Sequence, residues 1–240
     1  MTIHLYQLSD DLHFPHPELA LDDPNGLLAF GGDLSPQRLM TAYSNGIFPW
    51  FSEDEPLLWW SPSPRGILLL DDYHTSKSFE KFLRKTSLKV SINTAFDEVI
   101  ESCADIPRGQ DGTWITEEMI EAYKRLHQEG HAHAIEVWQD EELVGGLYGV
   151  SVGSVFCGES MFHKATNASK LAFYCLVKLM QQQPFAFIDC QMPTPHLSSL
   201  GVMGVSRTHF LEALARAKGQ RIDKSYWLPR ILFSTNTLTL

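Results

Sequence analysis

The side chains best suited to chemistry follow a short apolar segment, Ala186-Phe187-Ile188. Its bulky residues predict a buried β-strand, and the polar residues Asp189 and Gln191 come directly at its end. Residues two apart in an extended chain point to the same face, so we expect this carboxylate and this amide to share one site. Chemistry is often placed at the carboxyl end of such a strand, although a turn cap and a solvated amide would explain the same spacing.

A second carboxylate, Glu159, lies within the otherwise apolar segment 156–162. A charge in a buried strand is costly unless it is partnered or faces a cleft. Glu159 is therefore either a structural hydrogen-bond acceptor or part of a site, and its position in the sequence favours neither interpretation.

Four cations recur along a predicted helix that begins after Thr75 or Ser76, with only Glu80 near them to pair. Their offsets place them on one helical face. The cations are Lys77, Lys81, Arg84 and Lys85. The chain carries a net charge of −10, which argues against nonspecific coating of nucleic acid. The cationic face is thus either simply solvated or a local contact for phosphates.

Aromatic residues are concentrated between the first helix and the larger part of the chain, where Trp50, Trp59 and Trp60 lie close together. They either attach a small subdomain to its neighbour or form a wall for a planar ligand such as a nucleobase. We expect one of the three to face a ligand. The following Ser61-Pro62-Ser63-Pro64 segment predicts a hinge between domains.

The elements that position these residues predict an α+β protein. A small N-terminal α/β domain, residues 1–64, precedes a larger domain with a mixed central sheet, residues 65–240. Ser35 caps the first helix, with Pro36 at its start and Gly46 as its stop. In the larger domain we predict strands at 66–70, 89–92, 134–138, 142–150, 154–161, 185–191 and 230–233, with helices beginning after Thr75 or Ser76, Asn93 or Thr94, Thr116, Asn167 or Ala168, and Ser206.

Composition sets the cellular context. The amino terminus lacks a basic region followed by an apolar core, and no stretch of about 18 apolar residues occurs, so we expect a cytoplasmic protein without a membrane span. The four cysteines form no C-x-x-C pair, which is typical of free thiols in a reducing compartment. His131 and His133 have no acidic or thiol partner at a zinc-like spacing, so we expect no metal.

Several long and chemically unusual strings give the chain a close resemblance to the leucyl/phenylalanyl-tRNA–protein transferases, from about residue 5 to residue 234. The strings are Pro24 to Ala29, Gly31 to Ser35, Gly46 to Phe51, Trp59 to Pro62, Gly112 to Thr116, Phe156 to Phe162, Asn167 to Lys170 and Ile188 to Gln191. The order of elements also resembles the GCN5-related N-acetyltransferase fold, in which the donor enters where two central strands separate. The pyrophosphate loop of that fold is absent, since His163 to Lys170 contains no glycine.

The resemblance implies that Leu or Phe, and less well Met, moves from aminoacyl-tRNA to the N-terminal Arg or Lys of an acceptor protein. The product carries a signal of the N-degron pathway of protein degradation. No cofactor is implied, and we expect a monomer. Two alternatives remain open, namely an acyl-CoA-dependent N-acyltransferase and a noncatalytic module that binds tRNA or peptide.

The resemblance also implies roles for individual residues. Gln191 would assist proton removal from the acceptor amine, oriented and made more electron-rich by Asp189. The remaining positions would bind the aminoacyl-adenosine or the acceptor, whose cation would be attracted to Asp189 or Glu159. Leu147, Leu176 and Ile188 would form the side-chain pocket with Glu159 at its rim, while Trp50, Trp114, Tyr123 and Tyr43 would hold the rest of the substrate. The four cations of the predicted helix would bind tRNA phosphates.

Overall fold

The computed structural model describes residues 5–106, 114–234 and 237–238, and it is a mixed α+β structure as predicted. Gly112 and Thr113 of the transferase-like strings lie outside these residues. The strands are β1 (Tyr6–Leu8), β2 (Leu27–Gly31), β3 (Phe48–Pro49), β4 (Leu58–Trp60), β5 (Arg65–Leu69), β6 (Lys89–Ile92), β7 (Ala132–Gln139), β8 (Glu142–Val152), β9 (Val155–His163), β10 (Phe187–Gln191), β11 (Met203–Val205), β12 (Arg230–Ser234) and β13 (Thr237–Leu238). The helices are α1 (Pro36–Ser44), α2 (Lys77–Leu83), α3 (Phe96–Ala104), α4 (Glu117–Gln128), α5 (Ala168–Met180), α6 (Pro195–Ser198) and α7 (Arg207–Ala217).

The N-terminal sheet has the strand order β1-β2-β4-β3, in which β1 and β2 are parallel and the other pairs antiparallel. Helix α1 begins as predicted, because the Ser35 hydroxyl accepts a hydrogen bond from the Arg38 amide and Pro36 occupies the first turn. Gly46 follows the helix at a φ of 75°, and a Cβ there would lie 2.7 Å from the Phe210 ring. Only glycine fits this turn, so α7 packs directly against it.

Within the described residues, the large sheet contains nine strands in the order β11-β5-β10-β9-β8-β7-β6-β12-β13. The predicted antiparallel meander is confirmed as β7, β8 and β9. Strand β10 is parallel to β9, from Phe187 beside Val155 to Asp189 beside Cys157, and antiparallel to β5. Beyond Cys157 the pairing stops while β9 continues along β8 to His163. The two central strands β9 and β10 therefore separate near Asp189.

Helices cover both faces of the large sheet because the strands alternate their apolar side chains. Leu147 packs in the core on the side of α5, whereas its neighbour Tyr148 packs in the core on the side of α3 and α4. Each large apolar side chain buried in this way contributes about 1.5–3 kcal/mol. Tyr43 and Phe48 from the N-terminal segment belong to the second of these cores. The predicted division of the chain at residue 64 stays a prediction.

Helix α3 begins differently from the prediction. Its N-cap position is Ala95, which makes no side-chain cap, rather than Asn93 or Thr94. The buried carboxylate of Glu136 on β7 instead binds the backbone that leads into the helix, since Oε1 accepts hydrogen bonds from the Thr94 and Ala95 amides at 3.1 and 3.4 Å. A residue distant in sequence thus fixes the turn just before α3.

Among the described helices, none combines the length and the apolar run that crossing a bilayer requires.

Candidate active site

A cavity of about 410 Å³ opens where β9 and β10 separate. Seven of the predicted site residues line it, drawn from the N-terminal segment, the segment before α4, the sheet and α5. They are Trp50, Trp114, Leu147, Glu159, Leu176, Ile188 and Gln191. Three other predicted site residues, Tyr43, Tyr123 and Asp189, are buried and do not line it.

The walls of the cavity are mainly apolar. Leu147, Leu176 and Ile188 come from β8, α5 and β10, and each is almost fully buried. Phe156 and Phe173 also line the cavity and were not predicted from the sequence. Their types alone indicate only core residues, so no sequence signal distinguished them from the rest of the core. The cavity is suited to an apolar group of limited size.

The three tryptophans of the aromatic segment have different environments. Trp59 is completely buried and donates from Nε1 to the Gly31 carbonyl at 2.9 Å, so it is a core residue. Trp60 donates from Nε1 to the Trp50 carbonyl at 2.6 Å, and its ring lies 5.4 Å from that of Trp50. Trp50 is 40% exposed and lines the cavity. Of the three, Trp50 is the ring placed to contact a bound planar group.

The strand end at Gln191 departs from regular alternation. A bulge interrupts the pairing of β10 with β5 between Asp189 and Gln191, and Gln191 has a φ of 61°. A left-handed backbone is uncommon for a residue other than glycine and is found most often at functional or strained sites. Because of the bulge, Cys190 and Gln191 both line the cavity while Asp189 does not. The predicted shared face of Asp189 and Gln191 is therefore wrong.

Asp189 instead forms a buried ion pair that was not predicted from the sequence. Arg65, the first residue of β5, donates to both carboxylate oxygens at 2.8 and 2.7 Å, and both residues are 1% exposed. The remaining guanidinium nitrogen, Nη1, donates to the Gly46 carbonyl at 3.1 Å. Asp189 also accepts the backbone N–H of Gln191 at 2.9 Å. It holds the Gln191 backbone rather than polarising the side-chain amide, and it is already neutralised, so it is not available to attract an acceptor cation.

Glu159 joins a chain of polar groups beside the cavity. Its Oε1 accepts a hydrogen bond from Gln191 Nε2 at 2.9 Å, and its Oε2 accepts one from the Tyr123 hydroxyl at 3.2 Å. The Tyr123 hydroxyl is in turn bonded to the hydroxyl of Tyr43. Tyr43 and Tyr123, predicted to hold substrate, are instead buried behind Glu159. Both tyrosines lie outside the direct reach of a ligand in the cavity.

Burial raises the pKa of Glu159 to about 8, against the opposing effect of its hydrogen bonds with Tyr43 and Tyr123. The negative charge of Asp189 also raises this pKa, and the charge of Arg65 lowers it. A carboxyl group that titrates near neutral pH and lines a cavity is typical of functional sites.

The α2 cations, which we define as Lys77, Lys81, Arg84 and Lys85, are all exposed, and none forms an ion pair with another described residue. Ser76 caps α2 as predicted, and Arg84 ends it. The helix rests on α5 through Phe79, whose ring meets that of Tyr174 edge-on at 6.0 Å. Lys77 and Lys81 thus stand on a helix packed against a wall of the cavity, whereas Arg84 and Lys85 lie at and beyond its end, so the predicted single helical face is only partly correct.

Potential metal ligands are not grouped within the described part of the chain. His133 is buried, stacks on Trp227 at 4.0 Å and lies 3.1 Å from the Asn93 amide. Burial lowers its pKa to about 3, so the ring is neutral and structural.

Comparison with known proteins matches this chain to one protein family. A family model described as leucyl/phenylalanyl-tRNA protein transferase matches residues 67–215, and one for its N-terminal domain matches residues 32–63. The leucyl/phenylalanyl-tRNA–protein transferase of Pseudoalteromonas atlantica is 60% identical over 230 residues, which cover 96% of this chain and 98% of the relative. The transferase of the same name from Pseudoalteromonas translucida is 54% identical over 97% of this chain and 98% of its own length. A solved structure of L-PGS from Bacillus licheniformis aligns at a TM-score of 0.38 and 10% identity, over 70% of this chain and 53% of that one, which is too distant to inform the fold.

Proposed function

The chain belongs to the leucyl/phenylalanyl-tRNA protein transferase family, and we propose that it transfers Leu or Phe, and less well Met, from aminoacyl-tRNA to the N-terminal Arg or Lys of acceptor proteins. One observation supports this most strongly. The cavity at the parting of β9 and β10 combines apolar walls, the exposed ring of Trp50 and the polar pair Glu159 and Gln191. These are the features that an aminoacyl-adenosine with an ester to be attacked requires.

We propose that the aminoacyl side chain enters between Leu147, Leu176 and Ile188. An unbranched Cβ would pass the entrance, whereas Ile and Val would be disfavoured. The terminal adenine would stack on Trp50, with Trp114 closing the site. Such stacking contributes about 1–3 kcal/mol per base.

The reaction forms one peptide bond and breaks one ester bond. The lone pair of the acceptor's α-amine attacks the ester carbonyl carbon, the N–C bond forms, and the C–O bond to the ribose breaks. The amine loses one proton and the departing ribose oxygen gains one. We propose that Gln191 accepts a hydrogen bond from the attacking amine through its carbonyl oxygen and so aligns the lone pair. The ester is already activated, so alignment supplies much of the rate.

Acceptor selection is assigned to Glu159 in this proposal. It is the only carboxylate among the described residues that line the cavity, because Asp189 is buried against Arg65. A cationic Arg or Lys side chain of the acceptor would be attracted to the ionised form of Glu159. The α2 cations would bind acceptor-stem phosphates, contacts that carry no base identity and therefore allow several tRNAs to be used.

The finer fold assignment also belongs to this proposal. We propose that the large sheet is of the GCN5-related N-acetyltransferase type, supported by the parallel pair β9 and β10 that separates where the cavity lies. We further propose that the protein acts in the cytoplasm as a monomer without a cofactor, and that its products enter the N-degron pathway.

A transfer assay tests the function directly. The protein is incubated with tRNA charged with radiolabelled Phe and a peptide that begins with Arg, and label in the peptide is counted. We expect transfer to this peptide and none to the same peptide with an acetylated N-terminus. Transfer from acetyl-CoA instead would favour an N-acetyltransferase, and tRNA binding without transfer would favour a noncatalytic module.

The Gln191→Ala variant locates the chemistry. We expect the transfer rate to fall about 100-fold or more while the affinity for Phe-tRNA stays within about twofold. Loss of tRNA affinity with an unchanged rate at saturation would show that Gln191 binds substrate instead.

A further inference from the structure

A buried line of four side chains runs from α1 to the cavity and comes from four separate elements. Tyr43 on α1 contacts Tyr123 on α4, Tyr123 contacts Glu159 on β9, and Glu159 contacts Gln191 on β10. Tyr43 is 2% exposed, Tyr123 is fully buried and Glu159 is 9% exposed. Only Glu159 and Gln191 reach the cavity wall. The two tyrosines therefore reach the cavity only through the carboxyl group of Glu159.

When Glu159 is ionised, the number of available hydrogens fixes which group donates in each hydrogen bond between these side chains. The carboxylate can only accept, so it receives one hydrogen from Gln191 Nε2 and one from the Tyr123 hydroxyl. Tyr123 has a single hydroxyl hydrogen and gives it to Glu159, so Tyr43 is the donor in the contact between the two tyrosines, and the Tyr43 hydroxyl also interacts directly with the Glu159 carboxyl. All donors then point towards Glu159.

This direction fixes the orientation of the Gln191 amide. With its nitrogen held by the carboxylate, the amide carbonyl oxygen points away from Glu159, and no described residue donates a hydrogen bond to it. A flipped amide would place that oxygen against the carboxylate, which is repulsive. We propose that Tyr43 and Tyr123 are positioning residues of the transfer reaction, which hold Glu159 so that the Gln191 carbonyl oxygen is presented to the attacking amine. This inference rests on the proposed function.

Protonation of Glu159 would remove the constraint. A protonated carboxyl can donate to the Gln191 oxygen, and the flipped amide would then present N–H groups that cannot accept from the amine. The titratable groups that face Glu159 are Tyr43, Tyr123, Asp189, Arg65 and Cys157. The tyrosine hydrogen bonds favour the ionised carboxyl against burial, so removing either hydroxyl raises the pKa of Glu159. The transfer-competent orientation then requires a higher pH.

The experiment compares single-turnover transfer from Phe-tRNA to an Arg peptide between pH 6 and pH 9.5 for the wild-type protein and the Tyr123→Phe variant. For Tyr123→Phe we expect a rate about tenfold below that of the wild-type protein at pH 7, and a rise of the rate with pH that is moved up by about one pH unit. The rate should recover at the alkaline end, and the KM for Phe-tRNA should stay within about twofold of the wild-type value. Tyr43→Phe should change the profile in the same direction. The acceptor amine titrates in this range too, but identically in every variant.

Tyr226→Phe is the matched control, because the buried hydroxyl of Tyr226 has no hydrogen-bond partner among the described residues. Its rate and pH profile should equal those of the wild-type protein. An unchanged profile in Tyr123→Phe, or a deficit of equal size at every pH, would overturn the inference. If Tyr123→Phe does not fold, Glu159→Gln is measured in its place. A wild-type pH profile in Glu159→Gln would also overturn the inference. A wild-type protein that transfers nothing would instead refute the proposed function.

Discussion

Asp189 is expected to act as a structural anion, and its replacement by Ala tests this. Both carboxylate oxygens accept charge-assisted hydrogen bonds from Arg65, and both residues are about as buried as the core. Removing one partner of a buried pair leaves an uncompensated charge and costs about 3–5 kcal/mol. The free energy of unfolding of small proteins is about 5–15 kcal/mol, so Asp189→Ala should lose a large part of the total stability.

Urea denaturation at pH 7, followed by tryptophan fluorescence, measures this loss. Glu101→Ala is the matched control, because the Glu101 carboxylate is 53% exposed in its pair with Lys124, and exposed pairs contribute about 1 kcal/mol or less. A free energy of unfolding for Asp189→Ala within about 1 kcal/mol of the wild-type value would refute the structural role. That result would instead favour a direct role of Asp189 in the transfer reaction.

The double variant Arg65→Met with Asp189→Leu separates stability from positioning. Replacing both charges by apolar groups is often nearly neutral for stability, so we expect most of the free energy of unfolding to return. Transfer should stay low, because the Gln191 backbone N–H has lost its acceptor. Recovery of full transfer in this stable variant would show that Asp189 does not position Gln191.

Three further predictions concern the cavity rim, the α2 cations and the core. Trp50→Ala should raise the KM for Phe-tRNA by the equivalent of about 1–3 kcal/mol in steady-state kinetics, and a lower kcat with an unchanged KM would contradict stacking on this ring. Changing the α2 cations together to Ala should reduce the slope of log affinity against log salt by about 3, and an unchanged slope would mean that they form only a solvated face. Glu136→Ala should lower the free energy of unfolding by more than about 2 kcal/mol, because it leaves the Thr94 and Ala95 amides just before α3 without their acceptor, and a loss under about 1 kcal/mol would contradict this structural role.

The sequence predicted those features that depend on neighbouring residues. The caps Ser35, Ser76, Thr116 and Ser206 each begin a helix as expected, because a hydroxyl and the amide it caps lie three residues apart. The meander of β7, β8 and β9 followed from apolar runs and short turns. The apolar wall of the cavity was also among the residues named from the family resemblance.

The polar arrangement of the site was beyond local patterns. Arg65 and Asp189 are 124 positions apart, and Tyr43 and Tyr123 are 80 apart, so only the folded chain shows that they meet. The bulge and the left-handed backbone at Gln191 place Asp189 and Gln191 on different sides, although regular alternation predicted one shared face. This could not be predicted, because a bulge has no reliable sequence signal in a segment without glycine. A lone Arg at the start of an apolar strand was a usable signal, because a buried charge requires a partner.

The central claim is that Gln191 meets the reacting ester in the cavity between β9 and β10. A crystal structure with phenylalanyl-adenosine, linked by an amide in place of the ester, tests it most directly. We expect the phenyl ring between Leu147 and Leu176, the adenine on Trp50, and the Gln191 carbonyl oxygen within about 4 Å of where an attacking amine would stand. An analogue bound elsewhere, or bound with Gln191 turned away from its carbonyl carbon, would contradict the claim.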